Sequence, residues 1–190
     1  MENKISLKKV LPVLSCFFVM GIVDLIGIST NYVKQDFGLS DTIANLLSIS
    51  LFIWFAIFAV PTGMMMNRWG RKRTVITSMV ITLTAMIVPL VVYNFPMMLF
   101  AFALLGIGNT IIQVSLNPLL TNVVSSDRLT SSLTLGQFIK AIAAFLGPVV
   151  ASRAALWFGD WKLVFLVYGL VTILLVGFSA SWEQWAYFYY

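Results

Sequence analysis

Six long apolar stretches, each parted from the next by a short polar or basic segment, account for nearly the whole of this 190-residue chain. A helix needs about 20 consecutive, mostly apolar residues to cross a bilayer. Stretches of that length occupy residues 11–32, 43–66, 74–93, 97–123, 133–156 and 163–182. They predict an all-α membrane protein with six transmembrane helices, residues 1–182, followed by an aromatic C-terminal tail, residues 183–190.

Composition agrees with that reading. Hydrophobic residues make up 60% of the chain, charged residues 10%, and the mean hydropathy is +0.96. A soluble domain is usually about 45–50% apolar, so the lipid bilayer is the solvent this chain expects. The net charge of +5 does not point to nucleic acid, because the cations lie beside apolar spans, where topology signals lie. Alternating the loops puts Lys4, Lys8, Lys9, Arg68, Arg71, Lys72, Arg73 and Arg128 on one face and Lys34, Arg153 and Lys162 on the other. The richer face is expected in the cytoplasm, with both termini there. The N-terminal apolar run is too long and too dotted with polar residues for a signal peptide, and reads as the first helix itself. With no histidine and a single cysteine, Cys16, no metal site, cofactor or nucleophile–base pair is expected, and an enzyme is not.

The spans also echo one another. Gly21-Ile22-Val23-Asp24 in the first recurs as Gly106-Ile107-Gly108-Asn109 in the fourth, 85 positions later. Ser29 and Asn31 recur as Ser115 and Asn117, and Phe58-Ala59-Val60-Pro61 as Phe145-Leu146-Gly147-Pro148, at nearly the same offset. A unit of three spans enters the membrane from opposite sides in its two copies, so the expectation is an inverted 3+3 repeat.

Chemistry is expected where the spans break the apolar rule. Asp24 lies within the first span and Lys140 within the fifth, and an ionisable group inside a membrane costs about 2.5–3.5 kcal/mol on insertion scales. Asp24, Ile28 and Asn31 follow one another at helical spacing. So do Asn109, Gln113 and Asn117 in the fourth span and Thr134, Gln137 and Lys140 in the fifth. Lipid would reject these groups, so the three stripes should converge on a wet cavity. Two readings stand for each. Asp24 and Lys140 either neutralise one another or leave Asp24 free to carry a proton; the amides either tie helices together or bind hydroxyl groups. Trp54, Phe55 and Phe58 either stack on a sugar face or touch lipid and core.

The turn Gly63-Met64-Met65-Met66-Asn67-Arg68-Trp69-Gly70-Arg71-Lys72-Arg73-Thr74 resembles the G-x-x-x-D-R-x-G-R-[RK]-x signature between the second and third helices of the major facilitator superfamily. The matches are Gly63, Arg68, Gly70, Arg71 and Lys72; Asn67 stands where the signature has Asp, keeping hydrogen-bonding capacity without the charge. These residues are the cytoplasmic gating loop that the resemblance implies. Gly159-Asp160-Trp161-Lys162-Leu163-Val164-Phe165 resembles the W-R-x-x-F element that opens the sixth helix in this superfamily. Gly147-Pro148 resembles only part of the fifth-helix motif of antiporters. Gln113-Val114-Ser115-Leu116-Asn117-Pro118 and Gln137-Phe138-Ile139-Lys140 resemble elements of the fucose–galactose–hexose:proton symporter family, and Tyr32 to Ser40 its first external loop. Gln113 replaces a family Glu and Lys140 a family Asn; Asn117 and Gln137 match.

The resemblance implies the N-terminal half of a major facilitator fold in the bacterial cytoplasmic (inner) membrane. The function it implies is that of a secondary active transporter, or a fragment of one, taking up a sugar or sugar-like solute with protons by alternating access. Asp24 is the candidate for proton coupling, and Asn31, Asn109, Gln113, Asn117, Gln137 and Lys140 for substrate binding. A facilitator or exporter of an amphipathic or anionic compound is the alternative, and a non-transporting six-helix assembly a third. The expected partners are lipid, a small-molecule substrate, protons and a second six-helix half, either a missing C-terminal half or a second copy. The cation-free tail is unlike a basic central loop, and suggests a truncated or frame-shifted reading.

Overall fold

A computed structural model describes residues 7–180; the tail 183–190 and the end of the sixth expected span lie outside the described residues. Each apolar stretch is helical. The first span comprises α1 (Leu7–Gly21), a 3-10 turn (Ile22–Leu25) and α2 (Ile26–Asp36). The second comprises the short α3 (Asp41–Ala44) and α4 (Leu46–Trp69). The remaining spans are α5 (Arg71–Val91), α6 (Phe95–Val123), α7 (Ser126–Phe158) and α8 (Leu163–Ala180). Among the described residues five helices are long and apolar enough to cross a membrane, and Leu163–Ser179 is a shorter apolar helix. There is no strand among the described residues.

Local chemistry explains where the helices start and stop. Asn94, in extended backbone, accepts a hydrogen bond from the Met97 backbone N–H at 2.9 Å and begins α6, with Pro96 in the first turn, where its missing N–H costs nothing. Gly159 closes α7 in the left-handed conformation (φ 71°). Between α4 and α5 the whole connection is Gly70, whose φ of 80° and ψ of 158° belong to a region open essentially to glycine alone. α7 begins at Ser126, well before residue 133. Its first two turns are polar, so hydropathy hides them, but Asp127 favours a helix N-terminus electrostatically.

Packing follows the division of the sequence into two units of three spans. α4 packs on α6, and its counterpart under the repeat, α1 with the 3-10 turn, joins α7. α5 packs on α6, as α1 does more lightly on α8, while α5–α8 and α1–α6 are the self-paired contacts. Burial follows the same rule: 61% of the apolar window is buried in both the first and fourth spans, and 17% in both the second and fifth. Spans of like sequence therefore play like parts. α6 is wedged between α4 and α5, which touch each other only sparsely. The core is apolar, centred on side chains such as Phe17, Phe102, Met79 and Phe165.

Candidate functional site

Four spans meet around a cavity of about 170 Å³ about halfway along the helices. Asp24 comes from the 3-10 turn, Asn109 and Gln113 from α6, and Lys140 from α7. Leu51, Phe52 and Phe55 of α4 supply most of the apolar wall. Polar groups predicted from three separate stripes thus share one space.

The backbone explains how they arrive there. In the tighter 3-10 turn Ile22, Val23 and Leu25 are buried, and Asp24 between them is exposed. One turn earlier, Gly21 leaves no room for a Cβ, because the carbonyl oxygen of Lys140 and the Cβ of Ala143 lie there. That close approach brings α7, and with it Lys140, to the first span. On the opposite wall Thr110 Oγ1 donates to the carbonyl oxygens of both Phe55, at 3.0 Å, and Gly106, at 2.9 Å, tying α4 to α6 beside Asn109.

Two features mark the cavity. Asn109 is 5% exposed, and its Oδ1 accepts no hydrogen bond. Leaving such a buried acceptor unpaired costs about 1–3 kcal/mol. Asp24 and Lys140 line the same space without closing an ion pair. The ion pairs among the described residues are Lys34–Asp41, at 2.5 Å, and Lys162–Asp160, at 3.4 Å, both near one end of the bundle.

The other expected site residues lie elsewhere. Asn31, Asn117 and Gln137 are exposed and do not line the cavity. Thr134 lines a separate shallow groove along α7 with Thr130 and Phe138. Trp54 and Phe58 lie against one another, with ring centroids 6.2 Å apart, and only Phe55 of the three aromatic candidates reaches the cavity; Phe52, not singled out from the sequence, joins it. In the turn at Gly70, Asn67 and Arg68 are exposed and Arg71 and Lys72 half-buried. The space beside Gly63 is open, so close packing does not account for that glycine.

Sequence reasoning did not find a cluster at the opposite end of the helices from Gly70. Asp36 Oδ2 accepts hydrogen bonds from the Tyr93 hydroxyl and from Trp161 Nε1, the latter at 2.8 Å. Tyr32 stacks on Trp161 with ring centroids 5.0 Å apart, and Phe37 packs on Tyr93 at 5.0 Å. Lys162 Nζ sits 4.3 Å from the centre of the Tyr93 ring. Burial pushes the Tyr93 phenol well above its ordinary range, and the hydrogen bond and charge of Asp36 push it further. The end of the first span and the loops before α6 and α8 are joined here through one carboxylate. The available signal was that Tyr32, Asp36, Tyr93 and Trp161 all fall on the same face when the loops alternate.

Known proteins share this sequence pattern. The profile of the Major Facilitator Superfamily matches residues 13–183. A glucose/galactose transporter of Brucella abortus biovar 1 (strain 9-941) is 27% identical over 137 residues, which cover 70% of this chain and 33% of the relative. A hexuronate transporter of Bacillus subtilis (strain 168) is 23% identical over 176 residues, covering 90% of this chain and 40% of the relative. The chain thus spans between a third and two-fifths of the length of these relatives.

Proposed function

The chain belongs to the major facilitator superfamily, and on that premise we propose that it is the N-terminal six-helix half of a secondary active transporter that takes up a sugar or sugar-like solute together with protons. The observation that carries this reading is the cavity holding Asp24, Asn109, Gln113 and Lys140 within an otherwise apolar bundle. Amides supply donors and acceptors to hydroxyl groups without demanding charge, and the walls from Phe52 and Phe55 suit the apolar face of a ring. The two relatives, a glucose/galactose and a hexuronate transporter, support the solute class.

Asp24 carries the proton, and Asn109, Gln113 and Lys140 hold the solute. Asn31, Asn117 and Gln137, exposed in this half, meet a second six-helix half, and the two rock about the site so that it opens to each side in turn. The half behaves as one body in this scheme because Asp36 joins its loops at one end. The turn at Gly70 faces the cytoplasm with both termini, in a bacterial inner membrane; its cations, with Asn67 in place of an acid, contact the other half during gating.

The test is pH-driven accumulation of labelled galactose or galacturonate in right-side-out vesicles containing the transporter, with acid outside. Accumulation is expected with the native sequence and not with Asp24→Asn. Unchanged accumulation in that variant would remove Asp24 from the mechanism, and loss of uptake without loss of the pH gradient's effect on binding would assign it to gating instead.

A further inference from the structure

Resting on the reading of this cavity as a proton-coupled solute site, we infer that its solute is a hydroxylated monocarboxylate, a sugar acid rather than a neutral sugar. Lys140 takes the carboxylate, and Asn109 Oδ1 accepts a hydrogen bond from one hydroxyl.

Charge distinguishes the two kinds of solute. The cavity holds one acid and one base, Asp24 and Lys140, which do not pair with each other. Among the described residues no other lining group is titratable: α4 contributes Leu51, Phe52 and Phe55, α6 contributes the neutral amides Asn109 and Gln113, and the first span adds Val23 and Ile26. The empty site is therefore neutral in sum. Once Asp24 takes a proton, the ammonium of Lys140 is left without a counter-charge in the cavity. An unbalanced charge within a membrane protein is costly, because a low dielectric both raises the self-energy of the ion and strengthens its attraction to a counter-ion. A neutral sugar leaves that charge standing, whereas a carboxylate cancels it. The loaded site, with one proton on Asp24 and one anion on Lys140, then has the same net charge as the empty one. The proton arrives from one side of the membrane and leaves to the other with the solute, and the only covalent bond made and broken is the O–H on the Asp24 carboxyl.

Asn109 adds the second half of the specification. Its Oδ1 is buried and accepts nothing, so it calls for a donor. An ionised carboxylate has no proton to give. The solute must carry at least one hydroxyl besides its carboxylate, which excludes simple fatty or aromatic acids.

D-Galacturonate and D-galactose test this directly, because they differ only in bearing a carboxylate or a hydroxymethyl group on the same ring. Each is titrated into the purified transporter, this half together with the second, in lipid nanodiscs, with calorimetry as the readout, and proton uptake is followed with an indicator dye in weak buffer. Galacturonate is expected to bind at least about tenfold more tightly, the effect of one charge-assisted contact, with uptake of a proton that Asp24→Asn abolishes. Lys140→Gln should bring the two affinities together, while Lys140→Arg, which keeps the charge and reports on folding, should keep the preference. Galactose binding as tightly as galacturonate, or a preference that survives Lys140→Gln, overturns the inference and leaves the sugar-site reading standing. If neither compound binds, both readings fall.

Discussion

Gly21 and Gly106, 85 positions apart, do the same thing in opposite halves of the repeat. A Cβ on Gly21 would meet the Lys140 carbonyl oxygen and Ala143 Cβ on α7; a Cβ on Gly106 would meet the carbonyl of Leu51 on α4. Each glycine lets its span press against the backbone of the helix that follows in the other repeat unit. Because backbone carbonyls cannot swing aside as a long side chain can, Gly21→Ala and Gly106→Ala should each destabilise the bundle by about 1–3 kcal/mol. Thermal unfolding in detergent would show this as a similar fall in Tm for both. Gly27→Ala and Gly177→Ala, where the space is open, should leave Tm unlowered.

Asn109 is expected to trade stability for binding. Replacing it with Leu removes the unpaired buried acceptor and keeps a side chain of comparable length, so the unliganded protein should gain about 1 kcal/mol. The same variant should lose at least about tenfold in affinity for galacturonate or galactose. A lowered Tm with unchanged binding would contradict both assignments.

Tyr93 should make the stability of the bundle depend on alkaline pH. Burial first, and the Asp36 carboxylate second, hold its phenol above the ordinary value of 10.0. A folded value above the unfolded one means that its contribution is complete below about pH 10 and is lost as the pH climbs past that point. Tm measured from pH 8 upward should fall beyond about pH 10 in the native protein. The fall should be shallower in Tyr93→Phe, which has no proton to lose. Asp36→Asn should also flatten it, because it removes the neighbouring negative charge.

Gly70 is the whole of its connection, so strain there has nowhere to go. Gly70→Ala should cost about 1–3 kcal/mol, read as a lower Tm, and should increase protease cleavage near Arg68 and Arg71. Gly38, at φ 60° with open space around it, lies in the left-handed region that Asn also visits, so Gly38→Asn should cost less than Gly70→Asn.

Much of this molecule can be read from its residues in order, because helices follow local periodicity. The polar stripes that hold Asp24, Asn109, Gln113 and Lys140 were visible as exceptions to hydropathy, and so was the echo between Gly21 and Gly106. What could not be read is what depends on three dimensions. Asp36, Tyr93 and Trp161 are 57 and 125 positions apart in pairs, and no local pattern joins them. The 3-10 turn that aims Asp24 leaves no mark in composition, and the polar start of α7 is masked by its low hydropathy. Asn31, Asn117 and Gln137 shared the spacing of the cavity residues, but helical spacing fixes a face and not the depth at which that face meets its neighbours.

The wedge of α6 between α4 and α5 has a consequence for how the chain is made. α4 and α5 leave the ribosome as a hairpin held by a single residue, yet they barely touch one another. Until the stretch up to Val123 has been synthesised, each carries an unmatched face in the insertion machinery. The fourth span is thus the step at which the first three become a structure, and an arrest of synthesis just before Phe95 would leave three helices in the membrane with little to hold them together.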